Sequence, residues 1–368
     1  MRKRHIAASI LAGCFAVAAC SAASADDNPA AAAQPSAEPG AKADFGSWTV
    51  PRTPWGDPDL RGKWPLEMGR TPMQRPTKYG NQAHLTDAEY EAAFGRAEKL
   101  SEAYARENSE NKIGQGHWFE AGEPLHQTSL IVAPANGRVP PMTQEGQRRA
   151  ANMKSSWSEK VFDDLSDFNS LDRCITRGLP ASMIPFPYNN GLEIYQSPGY
   201  VVIRLELIHE TRVIPLDAHP APPSEIKQWL GVSRGHWEGN TLVIETTNFN
   251  GESPMVIVGP SNDPVPTSTS LKITERLTPT GPNTIEYDAV VEDPVVLTAP
   301  FEMRFPWTRD SSYQMFEYAC NEDNTVVQNY IRATSPRFAA FRKEQNQRDA
   351  EAKLAAPDEQ TAPAERAD

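Results

Sequence analysis

From Leu192 onward, apolar and polar residues alternate with a period of two, and this pattern constrains the fold most strongly. Successive side chains of a β-strand point to opposite faces, so the alternation predicts strands with one buried face. Turn residues such as Pro198-Gly199 and Gly239-Asn240 separate the segments. The predicted strands are Leu192–Gln196, Tyr200–Thr211, Thr241–Phe249, Leu271–Thr278, Thr284–Glu292, Phe301–Trp307 and Tyr313–Cys320.

Short connections between these strands predict an antiparallel meander that closes into a lipocalin-like barrel or curls into a half-barrel. A barrel of this size has room for one small ligand. The predicted fold class is α+β and mostly β, because helices and an extended segment precede the strands. That segment, Trp48–Pro76, is rich in proline, which forbids regular helix, and its tryptophans are the expected anchors.

Helix signals occur before and after the strand region. Thr86 and Glu89 have the spacing of a capping box, which predicts a helix over Leu85–Glu107. Ser335 and Pro336 are typical of a helix start. The other predicted helical segments are Gln144–Lys154, Ser224–Leu230 and a C-terminal helix that ends near Leu354.

Residues 1–25 have the pattern of a signal peptide, with three cations before an apolar stretch too short to span a bilayer. Val17 to Cys20 resembles a lipoprotein cleavage site, which would leave an acylated Cys20. The alternative is cleavage before Asp26 and release. We therefore expect an exported protein of the periplasm, with a lipid anchor in the outer membrane under the first alternative.

The mature chain is expected to contain a single globular domain over residues 45–354. Residues 26–44 are small, proline-rich and without aromatics, which predicts a flexible linker, and residues 355–368 predict a disordered tail. Within the domain we expect an extended and helical part over 45–191, the β-barrel over 192–320 and the C-terminal helix over 335–354.

The formal net charge of −12 disfavours nucleic acid and anionic lipid as partners. No later stretch approaches the roughly 18 to 20 apolar residues of a spanning helix, so no transmembrane span is predicted. The expected partner is a small-molecule ligand or substrate, and the oligomeric state stays open. Cys174 and Cys320 follow the signal region, and two thiols in an oxidising compartment predict a disulfide; two separate buried thiols are the alternative.

Two motifs look catalytic but lack the required context. Gly231 to Gly235 matches G-x-S-x-G, yet the nucleophile elbow needs a strand before it and a helix after it, the reverse of the order predicted here. His209-Glu210 starts like H-E-x-x-H, but Val213 occupies the second histidine position and the segment is predicted as a strand. With no phosphate loop and no dinucleotide fingerprint, we expect no cofactor and no metal.

Strand parity supplies the candidate catalytic residues His209, Glu275 and Tyr287. In the predicted strand Tyr200–Thr211, His209 follows an apolar row, and Glu275 lies among apolar residues of its strand. Burial shifts the pKa values of such groups toward neutrality, which suits acid–base catalysis. The alternative is a buried polar cluster that serves only packing.

A second group precedes the strands. Arg173 and Arg177 flank Cys174, and Tyr188 and Asn190 follow in an amide-rich loop. Guanidinium groups and amides could bind a carboxylate or a polyol at the mouth of the barrel, or they could anchor the loops. These four residues are the predicted substrate-binding residues.

Together these segments resemble a family of uncharacterised exported bacterial proteins. The resemblance covers roughly Trp55 to Ile331 and rests on an ordered series of motifs. They are RCITRG at 173–178, YNN at 188–190, PGYVVI at 198–203, IPLD at 214–217, SRGHWEG at 233–239 and EYAC at 317–320. The resemblance implies no activity, because none is established for the family.

The leading functional prediction is a periplasmic acid–base enzyme without a cofactor, of the lyase, isomerase or hydrolase type, acting on a small organic molecule. His209 would be the general acid or base and Glu275 its partner, with Arg173 and Arg177 binding an anion. Two alternatives stay open: a non-catalytic small-ligand binding protein and an envelope module for protein interaction.

Overall fold

The computed structural model describes residues 48–355, except 111–113, 115, 117–118, 155, 157–160, 217–219, 221, 259–262 and 323. The predicted signal peptide, Cys20, the linker and residues 356–368 of the tail lie outside the described residues. The fold is mostly β with antiparallel sheets, and four α-helices accompany them in the described part. No helix there is long and apolar enough to cross a membrane.

The strands, in chain order, are β1 (Gly62–Lys63), β2 (Ile131–Ala133), β3 (Leu192–Ser197), β4 (Tyr200–Leu205), β5 (Thr211–Pro215), β6 (Val232–Glu238), β7 (Thr241–Thr247), β8 (Pro254–Val258), β9 (Asp263–Pro266), β10 (Lys272–Gly281), β11 (Thr284–Glu292) and β12 (Phe301–Thr308). The helices are α1 (Asp87–Ser109), α2 (Gln144–Asn152), α3 (Val326–Thr334) and α4 (Ala339–Ala355).

The strands form one sheet of six and one of four. The six-stranded sheet has the order β2-β12-β11-β10-β7-β6, the four-stranded sheet β1-β3-β4-β5, and β8 pairs with β9. In the described part of the chain, the parallel bridge from Leu216 to Gly235 joins the neighbourhoods of β5 and β6. No closed barrel is formed by the described strands, since β1 and β2 remain sheet edges.

The apolar core comes from the inward faces of both sheets. In β11 the predicted face, from Ile285 through Tyr287 to Val291, is buried, and Trp307 of β12 stacks on Tyr287 with ring centroids 4.7 Å apart. The extended segment supplies Trp64, which is 2% exposed and donates its Nε1–H to Leu60 O at 3.0 Å. Trp64 is therefore one of the expected anchors, because its ring is buried and its polar group is satisfied.

Capping chemistry explains the helix starts. Thr86 and Glu89 make the expected capping box, and α1 begins at Asp87, directly after Thr86. Thr143 accepts from the Gly146 N–H at the start of α2. Ser335 accepts from the Arg337 N–H, and a short 3-10 helix leads into α4. Helix α3 was not predicted.

Two predicted elements are absent because other segments use their backbone partners. Tyr313–Cys320 is not a strand, since β2 already pairs with the outer edge of β12. Ser224–Leu230 is not a helix: the Gln228 N–H donates to Asn248 O at 2.9 Å and its C=O accepts from Asn250 N at 2.9 Å. The backbone N–H and C=O of Gln228 are thus both bonded to the segment that follows β7, so they are not available for helical hydrogen bonds.

The predicted strand Tyr200–Thr211 is interrupted after Leu205. A turn of 3-10 helix occupies Leu207–His209, in which Ile208 has φ 57° and His209 has φ 40°. The His209 N–H donates to Glu206 O, and the Leu205 N–H donates to Glu210 O at 2.8 Å, which closes the turn. The turn reverses the parity of β5, so Arg212 points into the core instead of outward.

Candidate functional site

Two of the three predicted catalytic residues meet in the core. Tyr287 donates its hydroxyl proton to Glu275 Oε1 at 2.9 Å. Arg212 donates to both oxygens of Glu275, at 2.9 and 2.5 Å, and also contacts the hydroxyls of Ser233 and Thr246. The side chains of Arg212 and Glu275 are each 1% exposed. We call these five residues the core polar cluster.

Within the core polar cluster the carboxylate, the phenol and the hydroxyls all have partners, and Arg212 Nε is the one buried polar atom without one. Burial would lower the pKa of Arg212, but the Glu275 charge and hydrogen bonds outweigh it and raise that pKa. Burial and the Glu275 charge raise the pKa of the Tyr287 phenol well above its usual value. Arg212 and Glu275 therefore form an ion pair sealed between the sheets, without a route for a substrate in the described part of the chain. The geometry matches the packing alternative.

His209 does not join that cluster, and the predicted pairing with Glu275 is wrong. The imidazole is exposed, and its Nδ1 lies 2.6 Å from Tyr318 O. The physical reason is the turn at Ile208. In a continuous strand His209 would have followed the apolar row inward, but the turn directs it away from the core. Arg212 occupies the inward position beside Glu275 instead.

Arg177 is an anchor rather than an open anion binder. Its guanidinium donates to Ile184 O at 2.8 Å and Pro185 O at 3.3 Å and lies 4.4 Å from the centroid of the Phe186 ring. Burial lowers its pKa to about 10. The Arg177 N–H donates to Glu210 Oε1 at 2.7 Å, and burial raises the pKa of Glu210. These contacts fix the loop that precedes β3.

The predicted disulfide is present. Cys174 and Cys320 are bonded, with their Cα atoms 5.5 Å apart and a sequence separation of 146 residues. The bond joins the loop of Arg173 and Arg177 to the segment that follows β12. It thereby fixes the end of residues 316–320, which form no regular secondary structure.

A pocket of about 830 Å³ lies beside this disulfide, where the loops before β3 and after β4 meet. Leu192 and Leu205 are paired across β3 and β4, so the residues before one and after the other emerge at the same sheet edge. We name this cavity the aromatic pocket. Its aromatic and acidic lining residues are Phe119, Tyr188, Phe316 and Tyr318, and Glu120, Glu206 and Glu317.

Stacked rings form the wall of the aromatic pocket. The Tyr188 ring is nearly parallel to those of Phe119 and Tyr318, each with its centroid 6.2 Å away, and Phe186 packs edge-on behind it at 4.8 Å. The His209 contact to Tyr318 O and the disulfide at Cys320 hold the far side of this wall. Such faces favour flat organic groups and cations.

Two carboxylates are fixed next to the rings by neighbouring amides. Asn190 Nδ2 donates to Glu120 Oε2 at 2.6 Å, and Asn189 Nδ2 donates to Glu206. The Tyr313 hydroxyl donates to the other Glu206 oxygen at 2.9 Å. Burial, with a smaller contribution from the Glu206 charge, raises the pKa of Glu120 although the Asn190 hydrogen bonds oppose it.

Of the predicted substrate-binding residues, Tyr188 lines the aromatic pocket and Asn190 positions its Glu120, whereas Arg177 is an anchor and Arg173 lies in another cleft. Sequence reasoning missed Glu120 and Glu206. A signal existed for Glu206: the Pro198-Gly199 turn sets a hairpin register that brings residue 206 level with 191, next to the Tyr188–Asn190 loop. Glu120 is far in sequence and carried no such signal.

Among the described residues, no group of three or more His, Cys, Asp or Glu side chains is placed to hold a metal ion. Comparison with family models, with curated proteins and with solved structures found no match. The resemblance in sequence motifs therefore stays a prediction, and the chemistry of the aromatic pocket is the basis for a functional assignment.

Proposed function

We propose that the protein binds a small organic cation in the aromatic pocket. The observation that supports this most directly is the lining: stacked aromatic faces next to three carboxylates, with no lysine or arginine among the described lining residues. The ligand class follows from charge. Carboxylates attract a cation, and the faces of Tyr188 and Tyr318 stabilise one by about 0.5 to 2 kcal/mol per contact.

The pocket size suits a ligand of drug-like dimensions, since such sites are typically clefts of about 300 to 1,000 Å³. The barrel cavity expected from the sequence is not required, because the pocket lies at a sheet edge. Shielding by the Tyr188 loop and by residues 316–320 lowers the local dielectric, which strengthens the attraction between Glu206 and a bound cation. Oriented amides keep both carboxylates in place before the ligand arrives.

Calorimetry with benzyltrimethylammonium tests this proposal, with benzyl alcohol as the neutral aromatic probe and benzoate as the anionic one. We expect the cation to bind at least about tenfold more tightly than either, which corresponds to 1.4 kcal/mol. Tyr188→Ala and Glu206→Gln should each weaken cation binding by about tenfold. Glu286→Gln, on the exposed face of β11, is the matched control and should leave it unchanged.

Equal binding of benzyltrimethylammonium and benzyl alcohol would overturn the assignment of a cationic ligand. An equal loss in the Glu286→Gln control would show that the effect follows net charge and not the pocket. Thermal unfolding of each variant separates a binding defect from a folding defect.

An acid–base enzyme is the second candidate, now with different residues. The raised pKa of Glu120 beside a second carboxylate is the arrangement in which one carboxyl donates a proton while the other is ionised. Glu120 would be the general acid and Glu206 the base or electrostatic partner, acting in a lyase, isomerase or hydrolase reaction. Glu120→Gln should then abolish turnover, an effect far larger than the weakening of cation binding that follows from the loss of one carboxylate. Unchanged turnover would exclude this mechanism.

We also propose export to the periplasm. The disulfide and the absence of a membrane-spanning helix in the described part are compatible with an exported protein. The sequence favours an acylated Cys20 as the mature N-terminus. Intact mass measurement of the native membrane fraction should show acyl mass on a chain that starts at Cys20. A chain that starts at Asp26 would replace the anchor by release.

A further inference from the structure

A second cleft, of about 470 Å³, lies between the C-terminal half of α2, the loop around Phe168 and the connections next to β8 and β9. Four cationic side chains line it: Arg148, Arg149, Lys154 and Arg173. We call it the basic cleft. In a chain with a formal net charge of −12, four cations around one cavity are a local exception.

Three of the four cations are held by partners. Glu145 accepts from Arg148 at 2.7 Å on both oxygens and from Arg149 at 2.8 Å, and these bonds lower the pKa of Glu145 to about 2. Lys154 Nζ lies 2.9 Å from Asp167 Oδ1. Because its pKa is so far below neutral, Glu145 is ionised at neutral pH and keeps both arginine forks oriented at the edge of the cleft.

Arg173 differs from the others. Its Nε is buried without a hydrogen-bond partner, and no hydrogen bond or ion pair joins its guanidinium to any residue that the structure describes. Among the described residues, its guanidinium makes a cation–π contact with the Trp229 ring, whose centroid is 5.8 Å from Cζ. A buried N–H without an acceptor is unfavourable, because burial removes its water without replacing the hydrogen bond.

Other enclosed arginines of this protein do have acceptors. The four examples are Arg75 with Thr128 and Ala135, Arg177 with Ile184 and Pro185, Arg212 with Glu275, and Arg309 with Arg61 O. Arg212 and Arg309 also leave Nε unpaired, but another guanidinium N–H of each has an acceptor, whereas Arg173 has none among the described residues. Arg173 lines a cavity together with three more cations.

We propose that the basic cleft binds the phosphate group of a small soluble phosphate monoester through Arg173. A guanidinium fork matches two oxygens of a phosphate, and the Trp229 ring lies next to the guanidinium of Arg173. A phosphate monoester carries up to two negative charges and three terminal oxygens, so it can also accept from Arg148 and Arg149. A carboxylate, with one charge and two oxygens, would satisfy fewer of these donors.

Glu252 opposes the anion. It is exposed, lines the basic cleft and makes no described contact through its carboxylate. Replacing it by glutamine removes one repulsive charge and leaves the shape of the cleft. We expect Glu252→Gln to tighten phosphate binding by about threefold, the effect of one unit charge at about 6 Å in water.

Calorimetry on the mature, disulfide-bonded protein tests the proposal, with inorganic phosphate and phenyl phosphate as probes and benzoate as the carboxylate comparison. Arg173→Gln should weaken phenyl phosphate binding by at least about tenfold, since hydrogen bonds to a charged group are lost. Arg148→Gln, at a more exposed position, should weaken it by a smaller factor. Arg332→Gln, exposed and outside the cleft, is the matched control and should have no effect.

Three results would overturn the proposal. Equal affinity of wild type and Arg173→Gln would show that Arg173 does not bind the anion. An equal loss in Arg332→Gln would show a general effect of net charge. Benzoate binding as tightly as phenyl phosphate would exclude a phosphate-selective site. If Arg173→Gln fails to fold, as shown by thermal unfolding, Arg148→Gln and Glu252→Gln decide the question, because their expected effects have opposite signs.

Discussion

Removing the Glu275 charge should reveal how strongly the fold depends on the core polar cluster. Glu275→Gln leaves the Arg212 guanidinium buried, with a neutral amide in place of the carboxylate that accepts two of its hydrogen bonds. Breaking a buried ion pair on one side costs about 3 to 5 kcal/mol. Since whole domains are stable by about 5 to 15 kcal/mol, this variant would lose a large part of its stability.

Equilibrium urea unfolding, followed by tryptophan fluorescence, measures the effect. With a slope near 3 kcal/mol per molar urea, the expected loss lowers the unfolding midpoint by about 1 to 2 M. The matched control is Glu245→Gln, whose ion pair with Lys272, at 2.8 Å, has side chains 51% and 43% exposed. Exposed pairs contribute at most about 1 kcal/mol, so the control midpoint should move little.

The triple variant Arg212→Met, Glu275→Leu, Tyr287→Phe tests whether the loss comes from leaving one buried charge unpaired. It removes both charges and the phenol that would otherwise lose its acceptor, so stability should return to near that of the wild type or exceed it. Similar losses in Glu275→Gln and Glu245→Gln would refute the argument. So would a triple variant that is less stable than Glu275→Gln alone.

Three further predictions concern the aromatic pocket and its support. Gly191→Ala should weaken cation binding severalfold, because a Cβ there would overlap the Glu206 carboxylate of the aromatic pocket and the Met315 and Tyr313 side chains beside it; Gly69→Ala, in open space, is the calorimetric control. The pKa of Glu120 is raised in the native state, so the native state binds more protons than the unfolded state between the two pKa values. The contribution of Glu120 to stability is therefore present below its unfolded-state pKa. It is lost as the pH rises through its native-state pKa. Glu120→Gln should therefore gain stability over wild type in urea titrations at pH 8 and show no gain at pH 4; an equal gain at both would contradict the sign. Thiol titration of the denatured, unreduced chain should find Cys174 and Cys320 both unreactive, and reduction should cost about 5 kcal/mol for a loop of 146 residues.

Strand periodicity predicted most of the larger sheet, because its strands alternate without interruption. β11 was predicted at its observed bounds, and β10 and β12 within a few residues. Glu275 was correctly placed on an apolar face beside Tyr287, and it is buried with that residue. Parity works there because each strand has one face on the core and short turns on both sides.

The same method failed at Ile208, and the cause is local. A β-branched residue with φ 57° is unfavourable on its own, and no glycine or proline marks the turn in the sequence. Tertiary contacts decide the conformation: Leu207 and Ile208 are buried in a small cluster with Leu171, and the Glu206 N–H donates to Gly191 O at 2.8 Å. One such turn exchanges the two faces of the strand that follows it, which moved His209 out and Arg212 in.

The candidate site was less predictable than the fold because its residues are brought together by loops. Tyr188 and Asn190 were recognised from local composition, whereas Glu120 enters from the chain after α1, about 70 positions earlier in sequence. No periodic pattern reports a contact of that range. The short strand β2 also had no signal in the sequence. It pairs with the outer edge of β12, where the predicted strand Tyr313–Cys320 would have paired.

The disulfide separates the formation of the sheets from the fixing of one wall of the aromatic pocket. Residues 316–320 contribute two rings and a carboxylate to the aromatic pocket, yet they lie in no helix or strand and are tied down at Cys320. In a compartment that keeps thiols reduced, the sheets can form from their own hydrogen bonds while this wall lacks its covalent tether. We therefore expect the reduced protein to keep its sheets but to bind the proposed organic cation more weakly than the oxidised protein does, which calorimetry on both forms would measure.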